Sequence, residues 1–137
     1  MKKFLFLTAL FFIFIQVNSP AQSATDYYNS GVAKKDAGDE YGALTDLTNA
    51  ITLNPGYQQA YFERGRVKDN IKDYAGAVED YTSAIQLNPN DAASYFLRGN
   101  DKWGFLDDKD GGCKDLNRAD ELGSPLASAW MSVYKCK

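Results

Sequence analysis

The feature that most constrains this chain is a segment that occurs twice, 34 residues apart. Among the residues that recur unchanged, Tyr27, Gly31, Ala43, Ala50, Ile51, Leu53, Asn54 and Pro55 return as Tyr61, Gly65, Ala77, Ala84, Ile85, Leu87, Asn88 and Pro89. Self-similarity at a fixed period of this size is typical of stacked repeat proteins, and this period fits a helix–turn–helix unit. The chain is therefore expected to build an array of helical hairpins.

The second copy is itself typical of two helices. Tyr61, Gly65 and Lys68 lie four and three residues apart, which places them on one helix face. Asp73 is suited to cap the following helix, and Asn88-Pro89 ends it, because the residue before a proline is disfavoured in the α region. A lone hairpin of this kind leaves an apolar face in water, so the units have to stack.

These residues carry a resemblance to a known family. The pattern of the second copy resembles the tetratricopeptide repeat in seven residues: Tyr61, Gly65, Tyr74, Ala77, Tyr81, Ala84 and Pro89. Lys68 departs from it, because the family has an aromatic residue there. The resemblance implies an all-α, tetratricopeptide-like α–α superhelix of three helical hairpins with a C-terminal capping helix. It places the repeats at about 24–57, 58–91 and 92–124, and the cap at 125–135.

Seven helices are expected, at about 24–37, 40–53, 57–70, 74–87, 91–104, 111–122 and 125–135. Ser124-Pro125 is a good start signal for the last helix, since proline is favoured at the first helical position. Within it, an apolar stripe is predicted to cover the final open face of the array. The stripe consists of Leu126, Ala129, Trp130 and Val133.

Residues 1–23 have the order of a secretory signal peptide. Lys2 and Lys3 precede an apolar run over 4–15, and small residues follow it. Cleavage after Ala21 or after Ser23 fits equally well, and the run is short for a bilayer span of about 20 residues. The expectation is an exported domain over 24–137, periplasmic or secreted and without stable membrane insertion. An uncleaved anchor is the alternative.

Composition argues against several function classes. Without Lys2 and Lys3 the chain has 13 basic and 18 acidic residues, a net charge of −5, which suits nucleic acid poorly. It has no histidine, which removes the commonest general base and most zinc sites. The acidic segment around Asp107, Asp108 and Asp110 fails as a calcium loop in both registers of its glycines. We therefore expect no catalytic residue, no metal and no cofactor, and no enzymatic activity.

Cys113 and Cys136 are the only cysteines. Two antiparallel helices joined near Gly123 would place them side by side, because the two helices have similar lengths. In an exported protein this arrangement predicts a disulfide. The alternative is two buried, reduced cysteines that act as small apolar residues.

In the resembled family the first helix of each repeat lines a concave groove, which implies a binding surface here. The candidate groove residues are Tyr28, Lys35, Phe62, Arg66, Asn70, Phe96, Asn100 and Trp103. The alternative for the three aromatics Tyr28, Phe62 and Phe96 is a place in the core. The family's clamp for acidic chaperone tails is absent, since its slots are filled by Tyr28, Val32, Glu63, Ala93 and Leu97.

The function implied is a non-enzymatic adaptor or scaffold module in the bacterial cell envelope. Its partner would be a protein or a short peptide segment. The alternative is a structural repeat module that associates with itself through its N-terminal open face and has no peptide client. The sequence leaves the oligomeric state open.

Overall fold

The structure, a computed structural model, describes residues 21–136, so most of the predicted signal peptide lies outside it. The described residues form seven α-helices and no strand. The helices are α1 (Ala24–Asp36), α2 (Glu40–Leu53), α3 (Gln58–Asn70), α4 (Tyr74–Leu87), α5 (Ala92–Gly104), α6 (Lys109–Glu121) and α7 (Pro125–Tyr134). None of the helices in this part of the chain is long and apolar enough to cross a membrane.

The helix boundaries confirm the all-α prediction almost everywhere. The clearest difference is α6, which begins at Lys109, two residues before the predicted start. It starts there because the side chain of Asp108 accepts a hydrogen bond from the Gly111 backbone N–H at 2.9 Å. Such a cap satisfies a donor that the first helical turn leaves free. Asp73 caps α4 through Gly76 in the same way, as predicted.

The helices pack as three hairpins in a row. α1 packs against α2, α3 against α4 and α5 against α6, while α2 contacts α3 and α4 contacts α5. α7 packs mainly on α6 and also reaches α5. Each hairpin therefore covers the exposed side of the one before it, as expected of a stacked repeat array.

Small residues let the two helices of each hairpin come close together. Six alanines are fully buried between the helices: Ala43, Ala50, Ala60, Ala77, Ala84 and Ala119. A Cβ atom on Gly65 would lie 2.7 Å from a ring carbon of Tyr81, and one on Gly99 would lie 2.9 Å from the carbonyl oxygen of Gly112. These distances are below normal van der Waals contact, so both repeats require glycine at this position.

Each hairpin also buries one aspartate that holds its two helices together. In the second hairpin Asp80 is 3% exposed. It accepts two hydrogen bonds from Arg64, at 2.9 Å from Nε and 2.7 Å from Nη2. The ammonium of Lys68 lies 2.9 Å from the same carboxylate. Lys68 therefore replaces the aromatic residue of the resembled family because it is one half of a buried ion pair.

A similar cluster occurs in each of the other hairpins, with a serine in place of the arginine in the first, and these three clusters are called the charge hubs below. Asp115 binds Arg98 and Lys102, and Asp46 binds Lys34 and Ser30. Burial works to raise the pKa of Asp46, but the hydrogen bonds from Lys34 and Ser30 outweigh it and lower that pKa. A buried carboxylate needs such partners, since an isolated buried charge is very costly.

The prediction for the buried face of α7 is wrong. Leu126 is 56% exposed and Val133 is 68% exposed, while Trp130 is at the border of exposure and Ala129 is exposed. The face that packs on the array contains Ala127, which is fully buried. The helix is turned this way because Tyr134 packs against α5 and Cys136, just beyond the helix end, meets α6.

Candidate functional site

Three of the four aromatic residues of the predicted groove, Tyr28, Phe62 and Phe96, lie on α1, α3 and α5, and all three are half-buried. Each contacts a further aromatic ring. Tyr28 lies 4.9 Å from Tyr57 between ring centroids, Phe62 lies 5.9 Å from Tyr81, and Phe96 lies 6.3 Å from Trp130. Each ring thus has one part in the packing and one part accessible, so it combines features of a core residue and of a surface residue.

The environment of Tyr28 is apolar and acidic. Burial raises the pKa of its phenol, and the nearby carboxylate of Glu63 raises it further. Tyr28 is therefore a neutral phenol at physiological pH. Its hydroxyl could act as a donor to a ligand.

Two of the predicted basic residues converge on one glutamate. The ammonium of Lys35 lies 2.6 Å from Oε2 of Glu63, which joins the first hairpin to the second. Nη1 of Arg66 lies 3.3 Å from the same oxygen. The Lys35 side chain is only 8% exposed, whereas that of Arg66 is 47% exposed. Arg66 is therefore the basic group that a ligand could reach, whereas Lys35 is buried in its ion pair with Glu63.

The remaining predicted residues fall into two places. Asn70 is exposed and donates from Nδ2 to Oε1 of Glu40 at 2.9 Å. Asn100 accepts a hydrogen bond from the Tyr134 hydroxyl at 2.7 Å, and Trp103 stacks on the same ring with centroids 3.8 Å apart. Asn100 and Trp103 are thus partly occupied by contacts with α7. Asn70 is the last residue of α3 and is exposed to solvent.

The two cysteines meet where α6 begins and α7 ends. Their Cα atoms are 5.4 Å apart and the sulfur atoms are within bonding distance, a geometry compatible with the predicted disulfide. Beside them is an open cavity of about 600 Å³ whose walls include Trp103, Lys109, Lys114 and Lys135. It shares only Trp103 with the predicted groove, so it is a separate surface.

The sequence reasoning missed the charge hubs. Their signal was present, since Lys34, Lys68 and Lys102 follow one another at steps of 34 residues, as Asp46 and Asp80 do. It also missed Asp101, which is 3% exposed and lies 34 residues after the buried Val67. The signal that could have found it was its position in the repeat, because the residue at the same position of the previous repeat, Val67, is apolar.

The comparisons with known proteins agree with this geometry. Residues 58–91 match the sequence profile of the family described as "Tetratricopeptide repeat". No curated protein sequence matches the chain at a significant level.

Solved structures match the fold over most of the chain. One is a crystal structure of MamA, 29% identical with a TM-score of 0.72, in which the match covers 77% of this chain and 61% of MamA. The chain therefore spans less than two thirds of MamA. Another is the first tetratricopeptide domain of Spaghetti (RPAP3) bound to the HSP90 peptide SRMEEVD, 22% identical, with a TM-score of 0.78 and coverage of 83% and 91%.

A third is the Arabidopsis OM64 tetratricopeptide domain, 18% identical, with a TM-score of 0.77 and coverage of 82% and 94%. At these identities the last two matches show the fold alone. Together with the seven helices and the matched segment, they show that this chain has the all-α fold of a tetratricopeptide repeat array, with residues 58–91 as a tetratricopeptide repeat.

Proposed function

We propose that this chain is a non-enzymatic adaptor that binds a protein or a short peptide segment in the groove along α1, α3 and α5. The observation that carries the proposal is the row of half-buried rings at Tyr28, Phe62 and Phe96, with the exposed guanidinium of Arg66 between them. Aromatic and arginine side chains supply most of the binding energy in many interfaces, and packed rings lose little entropy on binding. The fold supports the same function, because a structure of the same fold was solved with a bound peptide.

The residues of the predicted groove also restrict the length and the charge of the client segment. Three repeats give a short groove, so the client would contribute only a few residues. Lys35 is already engaged by Glu63, which leaves Arg66 as the accessible basic group of the predicted set. The clamp for acidic chaperone tails is missing from this sequence, so the client is expected to differ from such tails.

The proposed setting is the envelope of a bacterium. It rests on the signal-like order of residues 1–23 and on the cysteine pair, which suits an oxidising compartment. The structure adds a reason to favour cleavage after Ala21: the Ser23 side chain accepts from the Asp26 N–H at 3.1 Å and completes the cap of α1. Intact-mass analysis of the exported protein should therefore find Gln22 at its start, and a retained 4–15 segment would show an anchor instead.

A capture experiment tests the binding proposal. The exported protein is immobilised and incubated with envelope extract, in parallel with the double variant Phe62→Ala/Arg66→Ala and the control Glu79→Ala on α4. The double variant should lose the captured client, whereas Glu79→Ala should retain it. A melting curve accompanies each protein, because Phe62 contacts Tyr81. A double variant that folds and still captures the client would place the site elsewhere.

Self-association is the second candidate, and one observation favours it. Leu126, Trp130 and Val133 form an exposed apolar stripe on α7, at the C-terminal end of the array. The sequence predicted such a contact at the N-terminal end instead. Light scattering separates the two functions: a mass of one chain at every concentration favours the adaptor, whereas a mass that rises with concentration indicates self-association.

A further inference from the structure

Two aspartates from successive repeats meet in the interior beside the groove. Asp69 lies near the end of α3 and Asp101 lies on α5, and their carboxyl groups are close enough for each to change the pKa of the other. Asp101 is 3% exposed. The hydroxyl of Tyr81, a fully buried residue of α4, donates to Oδ2 of Asp69 at 2.5 Å. Three helices of two repeats therefore converge on this pair.

The pair has one proton too few if both groups are ionised. Oδ1 of Asp69 and Oδ2 of Asp101 are buried, and no N–H or O–H of residues 21–136 donates to either atom. Carboxylates only accept hydrogen bonds, so two ionised groups cannot bond to each other. Two neighbouring like charges in the interior also disfavour ionisation of both groups, as in other buried carboxylate pairs.

The charged and titratable groups around the pair do not neutralise it. On α3 Arg66 lowers the pKa of Asp69 in part, but its side chain is half-exposed and shared with Glu63. Asp73, the N-terminal cap of α4, acts in the opposite direction and raises the pKa of Asp69. From α7, Tyr134 is close enough for the charge of Asp101 to raise the pKa of its phenol, after the larger effect of burial.

We propose that Asp69 and Asp101 share one proton, and that this proton latches the second repeat to the third. Asp101 carries the proton and donates a hydrogen bond to Asp69, which also accepts one from the Tyr81 hydroxyl. The latch holds while the proton is bound. When it is lost, two unpaired negative charges face each other between α3 and α5, and the contact between the two repeats weakens.

The pH range of the latch follows from the direction of both shifts. Burial and the neighbouring charge of Asp69 raise the pKa of Asp101 to about 8, and burial raises the pKa of Asp69. In the unfolded chain both groups titrate near their ordinary value of about 3.9. The stabilisation is therefore complete below that value and is lost as the pH rises through about 8, because the folded state holds a proton that the unfolded state has released.

The test compares the wild type with Asp101→Asn by urea unfolding of the disulfide-intact protein from pH 5 to pH 9. An asparagine amide donates to Asp69 at every pH, so it imitates the protonated acid. The wild-type unfolding constant divided by that of Asp101→Asn should rise about tenfold per pH unit between pH 5 and pH 7, the slope for one proton. It should level off above pH 8. This readout involves no client, so it is independent of the proposed function.

Two further variants keep the result decisive. Asp107→Asn removes a carboxylate that is 93% exposed, and its ratio to the wild type should stay flat over the same range. Asp69→Asn should behave as Asp101→Asn does, since its amide can donate to Asp101 while its oxygen accepts from Tyr81. A flat ratio for both asparagine variants would overturn the latch. Failure of both to fold at pH 5 would overturn it as well, because the amide would then not replace the protonated acid.

Discussion

Arg64 and Arg66 are two residues apart on the same helix, and they have different surroundings. Arg64 is 18% exposed and makes a bidentate contact with the carboxylate of the buried Asp80. Arg66 is 47% exposed, and its Nη1 makes two long contacts with Glu63, at 3.3 and 3.4 Å. Two short hydrogen bonds to one carboxylate hold a guanidinium firmly in place, whereas an exposed ion pair contributes little to the stability of the fold. One helix thus has a side that holds the array together and a side that is free to bind.

The repeat pattern separates these two sides in the sequence. The residue 34 positions after Arg64 is Arg98, which makes the same bidentate contact with Asp115. The residues 34 positions before and after Arg66 are Val32 and Asn100. Of these two positions, the one that keeps an arginine in the second and third hairpins serves the fold, and the one that varies from repeat to repeat is the candidate for recognition.

The largest loss in the free energy of unfolding is expected for a substitution of the aspartate at the centre of a charge hub. Asp80→Ala leaves Arg64 and Lys68 without their buried partner, and breaking a buried ion pair in this way costs about 3–5 kcal/mol. Urea unfolding of the variant measures this loss directly. A loss comparable to that of an exposed substitution, about 0.5 kcal/mol, would mean that the hub does not hold the hairpin together.

A smaller loss of stability is expected at the C-terminal end, where the predicted disulfide would join α6 to the end of α7. Replacing both Cys113 and Cys136, which are 23 residues apart, with serine should cost about 3 kcal/mol. The loss should appear first as faster hydrogen exchange in α6 and α7, because the link joins only these two helices. Labelling of denatured, unreduced protein checks the premise, and two reactive thiols in exported protein would contradict it.

The fold could be predicted almost completely from the sequence, because its period and its capping signals are local. Asp73 and Asn88-Pro89 mark the two ends of α4 without any knowledge of its neighbours. The rotation of α7 could not be predicted in this way. Its apolar stripe is evident in the sequence, but the stacking of Tyr134 on Trp103 and the position of Cys136 decide which side packs.

The candidate site could be predicted only as a set of residues. The sequence identified Lys35 and Arg66 together, but it could not show that Glu63 engages the first more fully than the second. The charge hubs were overlooked because a charged residue on a helix is normally solvated. A lysine and an aspartate that each recur with the repeat are a usable signal for such a buried pair.

The central claim is that one side of α3 holds the array together and the other side binds the client. The most direct test compares Arg64→Met with Arg66→Met, since both replace a guanidinium of α3 with the same apolar side chain. Each variant is unfolded in urea and assayed for client capture. Arg64→Met should lose about 2 kcal/mol or more, because Asp80 keeps only Lys68. Arg66→Met should stay within about 0.5 kcal/mol of the wild type and lose the client. Equal losses of stability, or full capture by a folded Arg66→Met, would contradict the account.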